Sequence, residues 1–265
     1  MVIQTFKRHE KKYLITQAQY YALCEKIKPY MDDDPFCKEN GSYTIYNIYY
    51  DTPNHDVIRH SVSKPHYKEK LRLRSYKVPN SLDELVFLEL KKKIDGVVSK
   101  RRVTLTLQEA YDFVDKGIKP VGKNELNRQV IEEISYFLKI NPVSPNVFIR
   151  YERNAYFSKE DSQFRLTFDR NMRSRRENVG IENGDYGNLL QRPDLLLMEV
   201  KILGSIPIWF TSIMSELNIY PSRFSKYGTE YEQFCKNNQE RIIDYSYLKG
   251  KCEAKPLKPL MNINY

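Results

Sequence analysis

The chain is poor in the features that several large protein classes require. Its four cysteines, Cys24, Cys37, Cys235 and Cys252, form no C-x-x-C pair, and a chain this long builds a core without a disulfide framework. They read as reduced thiols. The four histidines, His9, His55, His60 and His66, lack the i, i+4 spacing of a helical zinc pair, so no zinc site is indicated. No stretch approaches the roughly 18 apolar residues of a membrane span, and none follows the opening MVIQTFKRHEKK. The expectation is a cytoplasmic chain with no transmembrane segment, for which a membrane protein partner stays open. The absence of internal repeats, heptads and low-complexity tracts excludes solenoids and coiled coils. One segment, Gly117 to Asn124, approaches a P-loop, but it ends on Asn124 in place of Ser or Thr and follows a helical pattern instead of a strand.

Negative charge is also in the minority. The 34 Asp and Glu face 43 Lys and Arg, a formal charge of +9, which favours a polyanionic partner without saying which. The 21 tyrosines interleaved with basic residues suit single-stranded nucleic acid as well as phosphate chains. A hydrophobic fraction of 41% is ample for one globular unit. We place that unit at 1–240, with 241–265 as a tail of Lys, Pro and Tyr whose role is unknown.

Strands dominate the pattern. The segments Phe6 to Ile15, Tyr43 to Asp51, Lys68 to Lys77, Leu85 to Lys93, Val97 to Leu105, Val147 to Phe157, Gln163 to Asn171 and Leu195 to Leu203 are rich in β-branched and aromatic residues and mostly alternate. That is about eight strands, a barrel-sized number. Helices are expected over Gln17 to Lys28 behind a Thr16 cap, Leu107 to Lys116, Glu125 to Lys139, and Ile208 to Leu217 behind Pro207. The class is α+β.

The informative feature is what each strand puts on its two faces, because side chains alternate with period two. Lys68, Lys70, Arg72 and Arg74 oppose Leu71 and Leu73. Glu89, Lys91 and Lys93 oppose Leu88 and Leu90, while Lys100, Arg102 and Thr104 oppose Arg101 and Val103. Arg165, Thr167 and Asp169 oppose Leu166 and Phe168; Glu199 and Lys201 oppose Met198, Val200 and Ile202. Arg8, Glu10 and Lys12 repeat the spacing. One such strand is an ordinary half-buried strand with a solvated face. Six of them with the same Arg-x-Arg, Glu-x-Lys and Lys-x-Arg mixture describe a sheet curled with its apolar residues outward and its charges lining a cationic tunnel. Arginine forks and lysine ammoniums match phosphate oxygens, and such a lumen is costly to fold unless an anion neutralises it.

In order along the chain, Arg8-x-Glu10-x-Lys12-Tyr13, the tyrosine-rich strand ending at Asp51, Arg72-x-Arg74, Glu89-x-Lys91, Lys100-x-Arg102, Tyr151-x-Arg153, Arg165 with Asp169, Glu199-Val200-Lys201 and Arg223 to Tyr227 resemble one family. It is that of the VTC-domain polyphosphate polymerases, within the triphosphate tunnel metalloenzyme superfamily. The resemblance spans Phe6 to Phe234. It implies an eight-stranded antiparallel β-barrel tunnel with flanking helices that makes inorganic polyphosphate from ATP with Mn2+ or Mg2+. By the same resemblance Arg72, Arg74, Lys91, Arg153, Arg165, Lys201 and Lys226 grip the reacting phosphates. Lys12, Lys100, Arg102 and Arg223 extend the substrate track, Tyr151 stacks on the adenine, and Glu199 holds the metal. ATP and polyphosphate are the expected partners, and nucleic acid is not.

Two departures shape the alternatives. Hydrolytic tunnel enzymes open with Glu-x-Glu-x-Lys, where this chain has Arg8, which favours the polymerase branch. The regulatory phosphate-sensing domain and membrane helices of eukaryotic relatives are not in this sequence. A metal-dependent tripolyphosphate or nucleoside triphosphate hydrolase, and a non-catalytic module binding polyphosphate, inositol polyphosphate or RNA, remain the rival readings.

Overall fold

A computed structural model describes residues 8–38, 41–95, 97–161 and 163–237. The elements run β1 (Arg8–Thr16), α1 (Gln17–Ile27), β2 (Met31–Asp33), α2 (Pro35–Lys38), β3 (Tyr43–Asp51), α3 (Asp56–Val62), β4 (Tyr67–Ser75), β5 (Leu85–Ile94), β6 (Val97–Thr106), α4 (Leu107–Lys116), α5 (Glu125–Ile140), β7 (Ser144–Ser158), β8 (Arg165–Arg175), β9 (Asn188–Leu189), β10 (Leu195–Leu203), α6 (Ile208–Glu216) and α7 (Lys226–Asn237). The strands form one antiparallel sheet in the order β1-β10-β8-β7-β3-β4-β5-β6, with β2 added to β7 and β9 to β8. The eight strands read from the sequence are the eight of the main path.

Among the described residues the path is not hydrogen-bonded into a ring, since its end strands, β1 and β6, do not pair with each other. The sheet nevertheless curls far enough for Glu10 of β1 to come within 3.8 Å of Lys91 of β5, so an ion pair spans the seam. The expected tunnel is therefore a curled sheet rather than a strictly closed barrel.

Local chemistry sets the helix boundaries. Thr16 and Gln19 form a reciprocal capping box at α1, and Thr106 and Glu109 form another at α4. Gly117, at φ +70°, ends α4, and the Asn124 side chain caps α5. The P-loop-like spacing is thus a helix-to-helix connection. Short elements without strong periodicity (β2, α2, α3 and β9) escape a sequence reading, and so does α7, which begins at Lys226.

The apolar faces point outward as anticipated. Leu71, Leu73, Leu88, Leu90 and Val103 pack beneath α4 and α5 through Phe113, Ile131 and Phe137. Leu166, Phe168, Met198 and Val200 pack beneath α1 and α6 through Leu23 and Phe210. A third cluster lies on the inner face, where Ile45, Tyr49, Ile149, Tyr151 and Leu197 meet Ile58 of α3 and Tyr227 of α7. These two helices fill part of the lumen with apolar side chains and leave the rest to the charges. No helix among the described residues is long and apolar enough to cross a membrane. Cys252 and the 241–265 tail lie outside the described residues.

Candidate functional site

Register places the charges in rows. Arg72 of β4 stands opposite Glu89 of β5, which stands opposite Arg102 of β6. Glu89 is fully buried and accepts from Arg72 Nε at 2.7 Å and Arg102 Nε at 2.6 Å, with Lys100 Nζ at 3.4 Å and Arg74 Nε at 4.0 Å. Burial opposes ionisation, but these four cations outweigh it and hold the carboxyl far below the usual range. Arg74 is further fixed by Asn47 Oδ1 and the Tyr151 hydroxyl, both at 3.0 Å. Arg72 Nη1 donates to the Tyr49 hydroxyl at 3.4 Å.

A second group forms where β1, β10, β8 and β7 meet α7. Lys12 lies opposite Glu199, which lies opposite Thr167. Asp169, also fully buried, takes a bidentate fork from Arg153 at 2.6 and 2.7 Å and the Lys226 ammonium at 2.5 Å. Glu199 has more partners and none so close: Lys201 at 3.2 Å, Lys226 at 3.3 Å, Arg153 at 3.5 Å and Lys12 at 3.6 Å. Burial raises its pKa, and Lys226, Lys201, Lys12 and Arg153 reverse the effect, so it stays ionised. Lys226 reaches this group because α7 starts inside the curl, with Tyr227 stacked on Tyr49 at 4.9 Å and bonded to Asp51 at 2.6 Å.

The structure brings most of the expected residues together. Arg72, Arg74, Lys100 and Arg102 converge on Glu89, and Lys12, Arg153, Lys201 and Lys226 on Glu199. Lys91 joins them across the seam through Glu10, which also pairs with Lys12 at 3.6 Å. Arg165 sits further out, opposite Lys201 in register, and pairs with Asp34 at 2.9 Å. Arg101, on the other face, pairs with Glu133 of α5 at 3.1 Å. Arg223 is exposed on the segment before α7.

Tyr151 requires a correction. It is 2% exposed, its hydroxyl is taken by Arg74, and the Lys226 ammonium lies 4.4 Å and the Arg153 guanidinium 5.3 Å from its ring centre. It serves as a platform for cations and offers no open face to an adenine. The acids that the alternation placed on the same faces, Glu89, Asp169, Glu199 and Glu10, interleave with the cations. Two residues escaped the sequence reading as site members although their spacing marks them as inward. Asp169 anchors Arg153, and Lys70 shares the face of Arg72 and Arg74.

Residues 7–235 match the VTC domain, from β1 into α7. The chain belongs to the VTC-domain family. No curated protein matches the sequence. Among solved structures, a candidate adenylate cyclase from Bacillus halodurans is similar at 15% identity and a TM-score of 0.49, over 83% of this chain and 95% of that one. The PH1819 protein of Pyrococcus horikoshii is similar at 13% identity and a TM-score of 0.44, over 85% and 99%.

In this VTC-domain chain no group of three His, Cys, Asp or Glu side chains among the described residues is placed to hold a metal ion. One or two carboxylates suffice for Mg2+ or Mn2+ when phosphate oxygens complete the shell. Glu199 fits that role better than Glu89 and Asp169, which are each locked by contacts of 2.7 Å or less. Directly opposite it, the buried Thr167 Oγ1 has no hydrogen-bond partner, so a second hard oxygen stands uncommitted beside the carboxylate.

Proposed function

We propose that the chain is an ATP-dependent polyphosphate polymerase, transferring the γ-phosphoryl group of ATP to the end of an inorganic polyphosphate chain. The observation that carries this reading is the loosely held Glu199, ringed by Lys12, Arg153, Lys201 and Lys226, beside a row of guanidiniums that Glu89 keeps rigid. Phosphoryl transfer asks little covalent chemistry of a protein and a great deal of positioning and charge neutralisation. An oxygen of the terminal acceptor phosphate attacks the γ-phosphorus, a new P–O–P bond forms, the bond to the bridging oxygen of ADP breaks, and its electron pair leaves with ADP. The attacking oxygen is already ionised, so no Ser, Cys or His base is needed. Arg72, Arg74, Lys91, Arg153, Lys201 and Lys226 neutralise the charge shared among the entering, transferred and leaving oxygens. Lys12, Lys100, Arg102 and Arg165 hold the flanking phosphates.

Glu199, with Thr167 beside it, would hold a Mn2+ or Mg2+ ion, which supplies Lewis-acid polarisation of phosphate oxygens when bound. ATP and inorganic polyphosphate are the partners in this reading, and the cytoplasm is the compartment. Incubation of the purified chain with ATP and Mn2+, followed by gel electrophoresis and phosphorus NMR, tests it. A ladder of polymer with stoichiometric ADP is expected. Orthophosphate without polymer would assign the tunnel to a hydrolase, and neither product with any divalent metal would leave a binding module.

A further inference from the structure

The inward-facing cations around Glu89 and Glu199 each have a carboxylate partner, whereas on β4 and β5 Lys68, Lys70 and Lys93 have none among the described residues; Lys93 is exposed, and Lys70 lies closest to the charged rows. Lys70 lies between Lys68 and Arg72 on the lumen face, opposite Lys91 in register. Among the described residues no carboxylate pairs with its ammonium, whose Nζ stands 5.7 Å from the centre of the Tyr227 ring. Lys68, one step outward, donates to the Ser61 carbonyl at 3.0 Å.

The charged and titratable groups facing Lys70 come from several elements. Lys68 and Arg72 share its strand, Lys91 comes from β5, Lys12 from β1, Tyr49 and Asp51 from β3, and Tyr227 from α7. Asp51 is the one acid in that set, and its oxygens are spent. Oδ1 accepts from the Thr52 and Val57 amides at 2.8 and 2.9 Å, and Oδ2 from the Ile58 amide at 3.0 Å and the Tyr227 hydroxyl at 2.6 Å. A protonated Lys70 is thus half-buried among lysines, and the hydrogen-bonded Asp51 offsets their repulsion only in part. Burial, then Lys91, Lys68 and Lys12, pull it down to about 7.

We propose that Lys70 is the lumen cation whose counter-ion is the ligand itself: it accepts a proton from solvent as a phosphate chain enters and then pairs with that chain's oxygens. The inference rests on the phosphate reading above and adds a residue and a linkage to it. Phosphate oxygens reverse the local balance, because attraction to an anion at contact distance replaces repulsion among lysines. Anion binding is consequently coupled to proton uptake at one identified nitrogen.

The test is titration calorimetry of the full chain with inorganic tripolyphosphate, without metal, in two buffers of different ionisation heat. Near pH 8 the wild type takes up about one proton more than Lys70→Arg or Lys70→Gln, and between about pH 7 and 9 its affinity falls up to about tenfold per pH unit more steeply than theirs. Comparison with the variants removes the titration of the ligand and of other lysines. Lys70→Arg, permanently charged, keeps its affinity at about pH 9; Lys70→Gln is weak throughout. Equal proton uptake by all three proteins, or wild-type affinity in Lys70→Gln near pH 6.5, overturns the assignment. Should neither variant fold, wild-type uptake of less than about half a proton near pH 8, after correction for the tripolyphosphate's own ionisation measured in the same buffers, overturns it. If tripolyphosphate binds the wild type at no pH, the phosphate reading itself falls and takes this proposal with it.

Discussion

Glu89 and Glu199 carry the same side chain, face the same lumen and are both surrounded by four cations, yet their geometries assign them different work. Glu89 is held by two guanidiniums at hydrogen-bonding distance and acts as a strut. Glu89→Gln leaves Arg72, Arg74, Lys100 and Arg102 without their shared counter-ion, so it is expected to cost about 3–5 kcal/mol. Denaturant unfolding should show that loss, and tripolyphosphate should recover much of it. Glu199 has only longer contacts, so Glu199→Gln preserves shape and removes a hard oxygen charge. Turnover at saturating Mn2+ should drop about a hundredfold or more, while polyphosphate binding measured by calorimetry stays level or tightens. Turnover near the wild-type rate would move the metal assignment to Glu10. Arg72→Ala and Arg74→Ala should likewise abolish synthesis with the circular dichroism spectrum intact. Arg101→Glu, on the outer face opposite Glu133, should cost no more than about 1 kcal/mol and spare activity.

At the scale of elements, α3 and α7 decide how much of the lumen is left for a ligand. Asp51 ends β3, caps the first turn of α3 through the Val57 and Ile58 amides, and anchors α7 through the Tyr227 hydroxyl. Asp51→Ala breaks all of these links, and a loss of about 2–4 kcal/mol is expected from uncapped amides and a stranded buried hydroxyl. Hydrogen exchange should accelerate in α3 and α7 before the strands that bury Leu71 and Leu88. Because α7 presents Lys226, activity should fall with that local loosening even where the sheet persists.

For the whole molecule, the relevant quantity is how charge is distributed between folded and unfolded states. Lys70 is pulled down to about 7, and Lys100 and Lys201 to about 8, in each case chiefly by burial. In the unfolded chain lysines titrate near 10.4. Between roughly pH 7 and 10 the unfolded state therefore binds more protons, and the stability of the anion-free protein should rise with pH across that window. The penalty is complete below about pH 7. Glu89, Glu199 and Asp169 act oppositely at the acid end, since carboxyls held below their usual range contribute stability that disappears as pH falls below about 4. Thermal melts at several pH values check both limbs. Polyphosphate should raise the melting temperature most near neutral pH, where the lumen cations repel one another most, and single-stranded RNA should raise it weakly at physiological salt. Equal stabilisation by RNA would return nucleic acid to consideration.

How much of this could be read without coordinates follows from how far each cause reaches along the chain. Strand identity, facial alternation and helix caps depend on neighbours two to four residues apart, so Tyr43–Asp51, Leu107–Lys116 and Leu195–Leu203 have the predicted limits, and Arg72, Arg74, Lys91, Arg102 and Lys201 were assigned to the inner face by period alone. Ion pairing depends on register across the sheet, which no local pattern encodes. Only the fold shows that Glu89 belongs to Arg72 and Arg102, that Asp169 meets a lysine from a helix at the far end of the chain, and that Tyr151 is covered by cations instead of open to a base. The sequence by itself determined a curled, antiparallel sheet with charge inside. The tertiary structure decided which of those charges cancel one another and which, like Lys70, are left without an acid partner, because electrostatic compensation is a property of distances in space.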